Sequence, residues 1–326
     1  MSRTRLTSAT SQPAPGALRL GISACLLGQN VRYDGGHKRD SFLVDTLGRF
    51  VTWVPVCPEA ECGLGIPREA MRLVGDPAAP RLVTIHTALD HTERMLAWAR
   101  RRVHELEGED LAGFVFKSRS PSSGMERVKV YDERGNPTRL GVGLFAREFM
   151  RHFPLLPVED EGRLQDPLLR ENFIERVFTL ARYRALPRTR RALVDFHADH
   201  KMVLMAHSVD GMRELGRIVA TPDSCSPREL FARYEEALLK TLALLPTPKK
   251  HANCLQHMMG HLKTRLTADE KQELLGVIMS YKDEVLPLVV PVTLLQHYAR
   301  KYDVAYLRRQ AYLCPHPLEL KLRNHA

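Results

Sequence analysis

A chain of 326 residues with 44% hydrophobic content is long enough for two separate cores. Its formal net charge of +10 favours a polyanionic partner, since each phosphate neutralised by Lys or Arg releases a condensed counterion; a merely soluble basic surface is the bland alternative. No run approaches the roughly 18 uninterrupted apolar residues of a helical membrane span, and six cysteines in a large chain without a secretory signal argue against a disulfide framework.

Residues 1–17 are polar, rich in Pro, Ala and Ser, and lack the apolar core of a signal peptide, so a disordered tail and a cytoplasmic protein are expected. From residue 18 strand and helix patterns alternate. Short apolar runs rich in β-branched and aromatic residues predict strands over 18–24, 50–56, 81–85 and 113–117. The clearest helix is predicted over 90–110, with Met95, Leu96, Ala99, Val103 and Leu106 on one stripe. Strands separated by helices imply an α/β domain built on an open, mostly parallel sheet, Rossmann-like in layout, over residues 18–156. From residue 160 to 326 only helical patterns remain, over 168–186, 190–208, 226–245, 248–266 and 267–288, which predicts an all-α domain. Ser226 with Pro227 and Glu229, and Thr267 with Glu270, read as helix starts.

Open α/β sheets bind ligands outside the carboxyl ends of their strands. Cys25 follows the first predicted strand, Cys57 the second, and Ser120, Ser122 and Ser123 lie in the loop after the run ending at Lys117. Cys62 stands just beyond Cys57, and Gly63 and Gly65 allow the chain to curl so that both thiols face one point. Three thiolates suit zinc or a 4Fe-4S cluster with one open coordination position, a geometry fit for chemistry rather than for structure. Burial of one or more of these cysteines as small hydrophobes is the competing reading.

The stretches "GISACLLGQNVRYDGGHKRD" (21–40), "WVPVCPE" (53–59), "GLGIPRE" (63–69) and "FKSRSPSSG" (116–124) resemble the thiouracil desulfidase family over about residues 18–156. The helices from "LVDFHADHKMVLMAHS" (193–208) onward resemble a second domain often fused to the first, an arrangement similar to bacterial desulfidases that remove sulfur from 4-thiouridine in tRNA. The resemblance implies a 4Fe-4S cluster on three cysteines. Cys25 and Cys57 fall on the first two ligand positions, while the third, a cysteine in the family, is Ser123 here; Cys62 is the nearest replacement, the other readings of Ser123 being an engineered substitution or a natural loss of the cluster.

In the reaction so implied, the open iron polarises the substrate sulfur without net redox. Glu59 is the expected base and Ser120 its proton relay or orienting group. Asp34, Lys117 and Ser122 are the expected substrate contacts, although Asp34 equally suits the turn made by Gly35 and Gly36. In the basic second half, 26 Lys and Arg stand against 19 Asp and Glu in residues 161–326, so Lys249, Lys250, Lys263 and Arg265 are expected to meet tRNA. Two further metal-ligand groupings are open, His197 with His200 and His207, and Cys254 with His257 and His261. The alternatives to a tRNA enzyme are a desulfidase or zinc hydrolase of free thiolated bases and a noncatalytic RNA-binding module that senses redox state.

Overall fold

A computed structural model describes residues 18–220 and 225–324; the expected tail lies outside them. The chain divides into two compact units that meet in sequence at Phe173 and Ile174. In the first, the strands are β1 (Arg19–Ser23), β2 (Thr52–Val56), β3 (Met71–Val74), β4 (Arg81–Thr84), β5 (Phe114–Phe116), β6 (Val128–Tyr131), β7 (Pro137–Gly141) and β8 (Val158–Asp160), and the helices are α1 (Pro58–Glu61), α2 (Thr92–Glu107) and α3 (Leu144–His152).

The expected parallel sheet is present, in the order β2-β1-β5-β8 with every pair parallel. Its fourth strand, β8, runs across the boundary expected between the stretches 18–156 and 160–326. The central strands read as continuous apolar runs because both faces are covered: Leu20, Ile22, Phe114, Val115 and Phe116 are all fully buried. Gly21 permits this pairing, since a Cβ there would lie 2.1 Å from the Phe114 ring. Against that ring pack Phe145 and Phe149 of α3, at centroid distances of 5.8 and 4.7 Å. On α2 the buried stripe is Met95, Trp98, Ala99, Val103 and Leu106; Trp98 takes the place expected of Leu96 by packing on Phe145 at 5.3 Å.

One strand is placed differently from expectation. The run ending in β4 belongs to a second, mixed sheet in the order β4-β3-β6-β7, where β4 pairs antiparallel with β3. The short link from Val74 to Arg81 holds a hairpin turn, whereas a parallel partner needs a crossover of a dozen or more residues.

The second unit is helical: α4 (Pro167–Arg184), which begins before Phe173, then α5 (Arg190–His207), α6 (Val209–Ala220), α7 (Pro227–Leu242), α8 (Pro248–Gly260), α9 (Ala268–Lys282), α10 (Val289–Lys301) and α11 (Ala305–Arg309). Ser226 and Thr267 form full capping boxes with Glu229 and Glu270. Three helices escape the sequence pattern, α6, α10 and the five-residue α11. In α6, two glycines lower the signal, but a Cβ on Gly211 would come within 2.4 Å of the Thr241 hydroxyl, so glycine sets the approach to α7. In α10, Pro291 reads as a breaker, yet it sits in the first turn, where its missing N–H costs no hydrogen bond.

Neither expected metal grouping in this unit is assembled. His207 is fully buried, with Nε2 2.7 Å from Glu175 Oε1 and Nδ1 2.6 Å from the Leu244 carbonyl. His200 stacks on Phe196 at 3.9 Å, and His197 contacts the Tyr234 hydroxyl at 3.1 Å. Cys254 points inward, its thiol 3.5 Å from the Met202 carbonyl, while His257 and His261 are exposed. The spacing that aligned them assumes helix through residue 261, but α8 ends at Gly260.

Candidate functional site

Three strands of the parallel sheet end side by side. In the β1–β2 register Ser23 lies opposite Val56, and the Lys117 N–H just past β5 donates to Ser23 Oγ at 2.8 Å. The next residues of each strand therefore meet at one edge. A cavity of about 110 Å³ opens there, walled by Cys25 from the 3-10 turn after β1, Cys57 and Glu59 at the start of α1, and Lys117, Ser120 and Ser123 after β5. Arg32, Tyr33, Arg68 and Met71 complete its wall.

Cys25 and Cys57 are each 8% exposed. Burial pushes the Cys25 thiol up to about 11, against the pull of Lys117. It pushes Cys57 up to about 12, with the Glu59 carboxylate adding to the effect. The Cys57 thiol lies 3.7 Å from Glu59 Oε2 and 3.8 Å from the Val31 carbonyl.

Glu59 is the anionic centre of the cavity. Its Oε2 faces Arg68 Nη2 at 3.8 Å, and its Oε1 accepts the Ser122 hydroxyl at 2.5 Å. Ser122 Oγ is in turn 2.9 Å from Ser120 Oγ, which also accepts the backbone N–H groups of Ser122 and Ser123 at 3.3 and 3.1 Å. With its acceptor side so occupied, the Ser120 hydroxyl is left to donate to Ser122. The order of donation runs from Ser120 through Ser122 to Glu59.

Three expected residues take other places. Ser122 is fully buried and is not among the residues lining the cavity; its hydroxyl bridges Ser120 and Glu59. Asp34 is half exposed and its Oδ1 accepts the Gly36 N–H at 3.0 Å, the turn-forming role. That hydrogen bond, more than Arg32 nearby, holds its carboxyl below the usual range. Cys62 caps the end of α1 with its thiol 3.4 Å from the Glu59 carbonyl and is not part of the cavity wall, where Ser123 stands instead. Gly63 beyond it has φ +84, and Arg94 ties the Cys62 and Gly63 carbonyls at 2.7 Å each, which turns the chain away.

Lys117 does line the cavity, paired with Glu161. Arg32 and Arg68 are the cations that strand-end reasoning passes over. Both were within reach, since they stand in the stretches "RYDGG" and "GIPRE".

Among the basic residues of the helical unit, Lys249, Lys263 and Arg265 are exposed. Lys250 spends two of its three donors within its own unit: its Nζ donates to the His207 and Leu245 carbonyls at 2.7 and 3.2 Å. Among the described residues no helix is long and apolar enough to cross a membrane.

Residues 20–161 match a family described as 2-thiouracil desulfurase, and residues 201–317 match one described as protein of unknown function DUF1722. The chain is 31% identical over 137 residues to the uncharacterized protein YbgA of Escherichia coli strain K12, a match spanning 42% of this chain and 81% of YbgA. A solved 4Fe-4S-dependent thiouracil desulfidase, TudS, is 30% identical, covering 46% of this chain and 94% of TudS, with a TM-score of 0.38.

Proposed function

We propose, of a chain that belongs to the family joining a 2-thiouracil desulfurase domain to a DUF1722 domain, that it is a desulfidase of thiolated uracil whose substrate is 4-thiouridine in tRNA. The observation that carries the reading is the convergence of Cys25, Cys57, Glu59, Ser120 and Lys117 on one cavity at the strand ends.

Two buried thiols, Cys25 and Cys57, line the cavity and suit the cofactor named for TudS, while the third, Cys62, stands outside the wall at the other end of the same helical turn. Cys25 and Cys57 would hold a 4Fe-4S cluster, with Cys62 as third ligand once its thiol turns from the Glu59 carbonyl toward the cavity, and the cluster would supply a Lewis acid for the sulfur of a thiocarbonyl. Glu59 takes a proton from water as it adds to C4 of the base. The proton of the added hydroxyl passes to sulfur as the C–S bond breaks and the carbonyl forms, so sulfur leaves as hydrosulfide, the first proton is released from Glu59 to solvent, and no electrons are exchanged. Ser122, itself held by Ser120, donates to the Glu59 carboxylate and orients it, while Lys117 and Arg32 supply positive charge to the wall.

Anaerobically purified protein is expected to be brown and to contain iron and acid-labile sulfide. Alanine at Cys25, Cys57 or Cys62 should abolish iron retention, and Ser123→Ala should leave it intact. Iron retained by Cys62→Ala and lost by Ser123→Ala would move the third ligand to Ser123. A colourless zinc protein would favour a hydrolase of free bases.

The tRNA part of the proposal rests on the charge of residues 161–326. Binding of tRNA should fall steeply with salt. Charge reversal at Lys249, Lys263 and Arg265 should lower the salt slope by about one for each phosphate that is no longer neutralised. It should also impair desulfuration of tRNA more than that of a free thiolated nucleoside; equal impairment would count against tRNA as the substrate.

A further inference from the structure

Away from the cavity, α2 and α3 bring together two imidazoles and a carboxylate. His104 and Glu107, three residues apart, share one face of α2, and His152 ends α3. His104 Nδ1 is 3.3 Å from Glu107 Oε1, and His152 Nε2 contacts that same oxygen. One ligand atom from each residue lies within 4.8 Å of the others, and among the described residues no other group of three His, Cys, Asp or Glu side chains does so.

We propose that His104, Glu107 and His152 form a binding site for a divalent ion of the zinc class. Imidazole nitrogen with one carboxylate oxygen is a donor set for borderline d-block ions. Bonds of about 2.0–2.1 Å at a tetrahedral centre place neighbouring donors roughly 3.3 Å apart, the spacing found between His104 and Glu107. Three protein donors leave a fourth position for water or a ligand from outside.

The scaffold is set independently of the site. Trp98 of α2 packs on Phe145 of α3, and the His152 ring lies edge-on to Phe153 at 4.7 Å. An ion would therefore add a link between two helices already docked. His104 and Glu107 are exposed and His152 is partly covered, so the ion has direct access from solvent. The thiols of the cavity are distinct in chemistry from this nitrogen and oxygen set, which makes the two spectroscopically separable.

The test is titration of the full-length, reduced protein with Co²⁺, followed by absorption spectroscopy, for the wild type, His104→Gln and His152→Gln. The difference between wild type and either variant is expected to show visible d–d bands from one equivalent of Co²⁺ without a near-ultraviolet thiolate charge-transfer band. Each variant should lose at least about tenfold in affinity for that equivalent. Zn²⁺ should displace this Co²⁺ and raise the melting temperature of the wild type more than that of either variant. Equal Co²⁺ spectra in all three proteins, a thiolate band in the difference spectrum, or no bound Co²⁺ in the wild type would each overturn the proposal.

Discussion

Glu59→Gln is expected to lower turnover of a thiolated uracil by roughly 10²–10⁴-fold while leaving iron and sulfide content unchanged. The amide keeps the shape of the carboxylate and still accepts the Ser122 hydroxyl, but it cannot take a proton from water. Removing a base acts on the chemical step, so the loss should fall on kcat. Ser122→Ala should be milder, because Glu59 keeps its place in the wall and loses only its hydrogen-bond donor. A Glu59→Gln enzyme with full cluster content and near-normal single-turnover rate would eliminate Glu59 as the base.

Glu175→Ala should destabilise the helical unit by about 3–5 kcal/mol, the cost of stranding buried positive charge. Glu175 is 4% exposed; its two oxygens face His207 Nε2 at 2.7 Å and Arg323 Nη2 at 3.2 Å. Both nitrogens of His207 face oxygen atoms, the Leu244 carbonyl and Glu175. Burial alone would raise the Glu175 carboxyl, but the hydrogen bond and charge of His207, and then Arg323, bring it down to about 2. In the unfolded chain it titrates near the usual value of about 4.3. The stabilisation is thus complete above that pH and is lost as pH falls toward 2. Calorimetry of the full chain should show the wild-type melting temperature dropping between roughly pH 4.5 and 2 more steeply than that of Glu175→Ala. Parallel pH dependence in the two proteins would remove Glu175 as the source.

Local patterns were enough to place β1, β2 and β5, the capping boxes at Ser226 and Thr267, and an α/β region followed by helices. Alternation, helical periodicity and cap hydrogen bonds act within a few residues, so one chain segment carries the whole signal. The strand-end rule likewise led to Cys25, Cys57 and the loop 118–124, since each follows a recognisable strand and the β1–β2–β5 register aligns those ends; Glu59 came from its nearness to Cys57 and the role of Ser120 from the family resemblance. Side-chain direction in the loops was beyond such reasoning. Ser122 and Ser123 are neighbours, yet one bridges to Glu59 and the other walls the cavity, because the turn after β5 is folded by Ser120 accepting both their N–H groups. Cys62 faces the Glu59 carbonyl because Arg94, from α2, holds the chain beyond it. Long-range pairing decided the rest. The antiparallel β3–β4 hairpin, the joining of Glu175 to Arg323 and the meeting of His152 with His104 and Glu107 depend on contacts between distant segments. Spacing along a chain determines which residues share a helix face or a strand end, and only packing between elements determines which of those faces and ends meet.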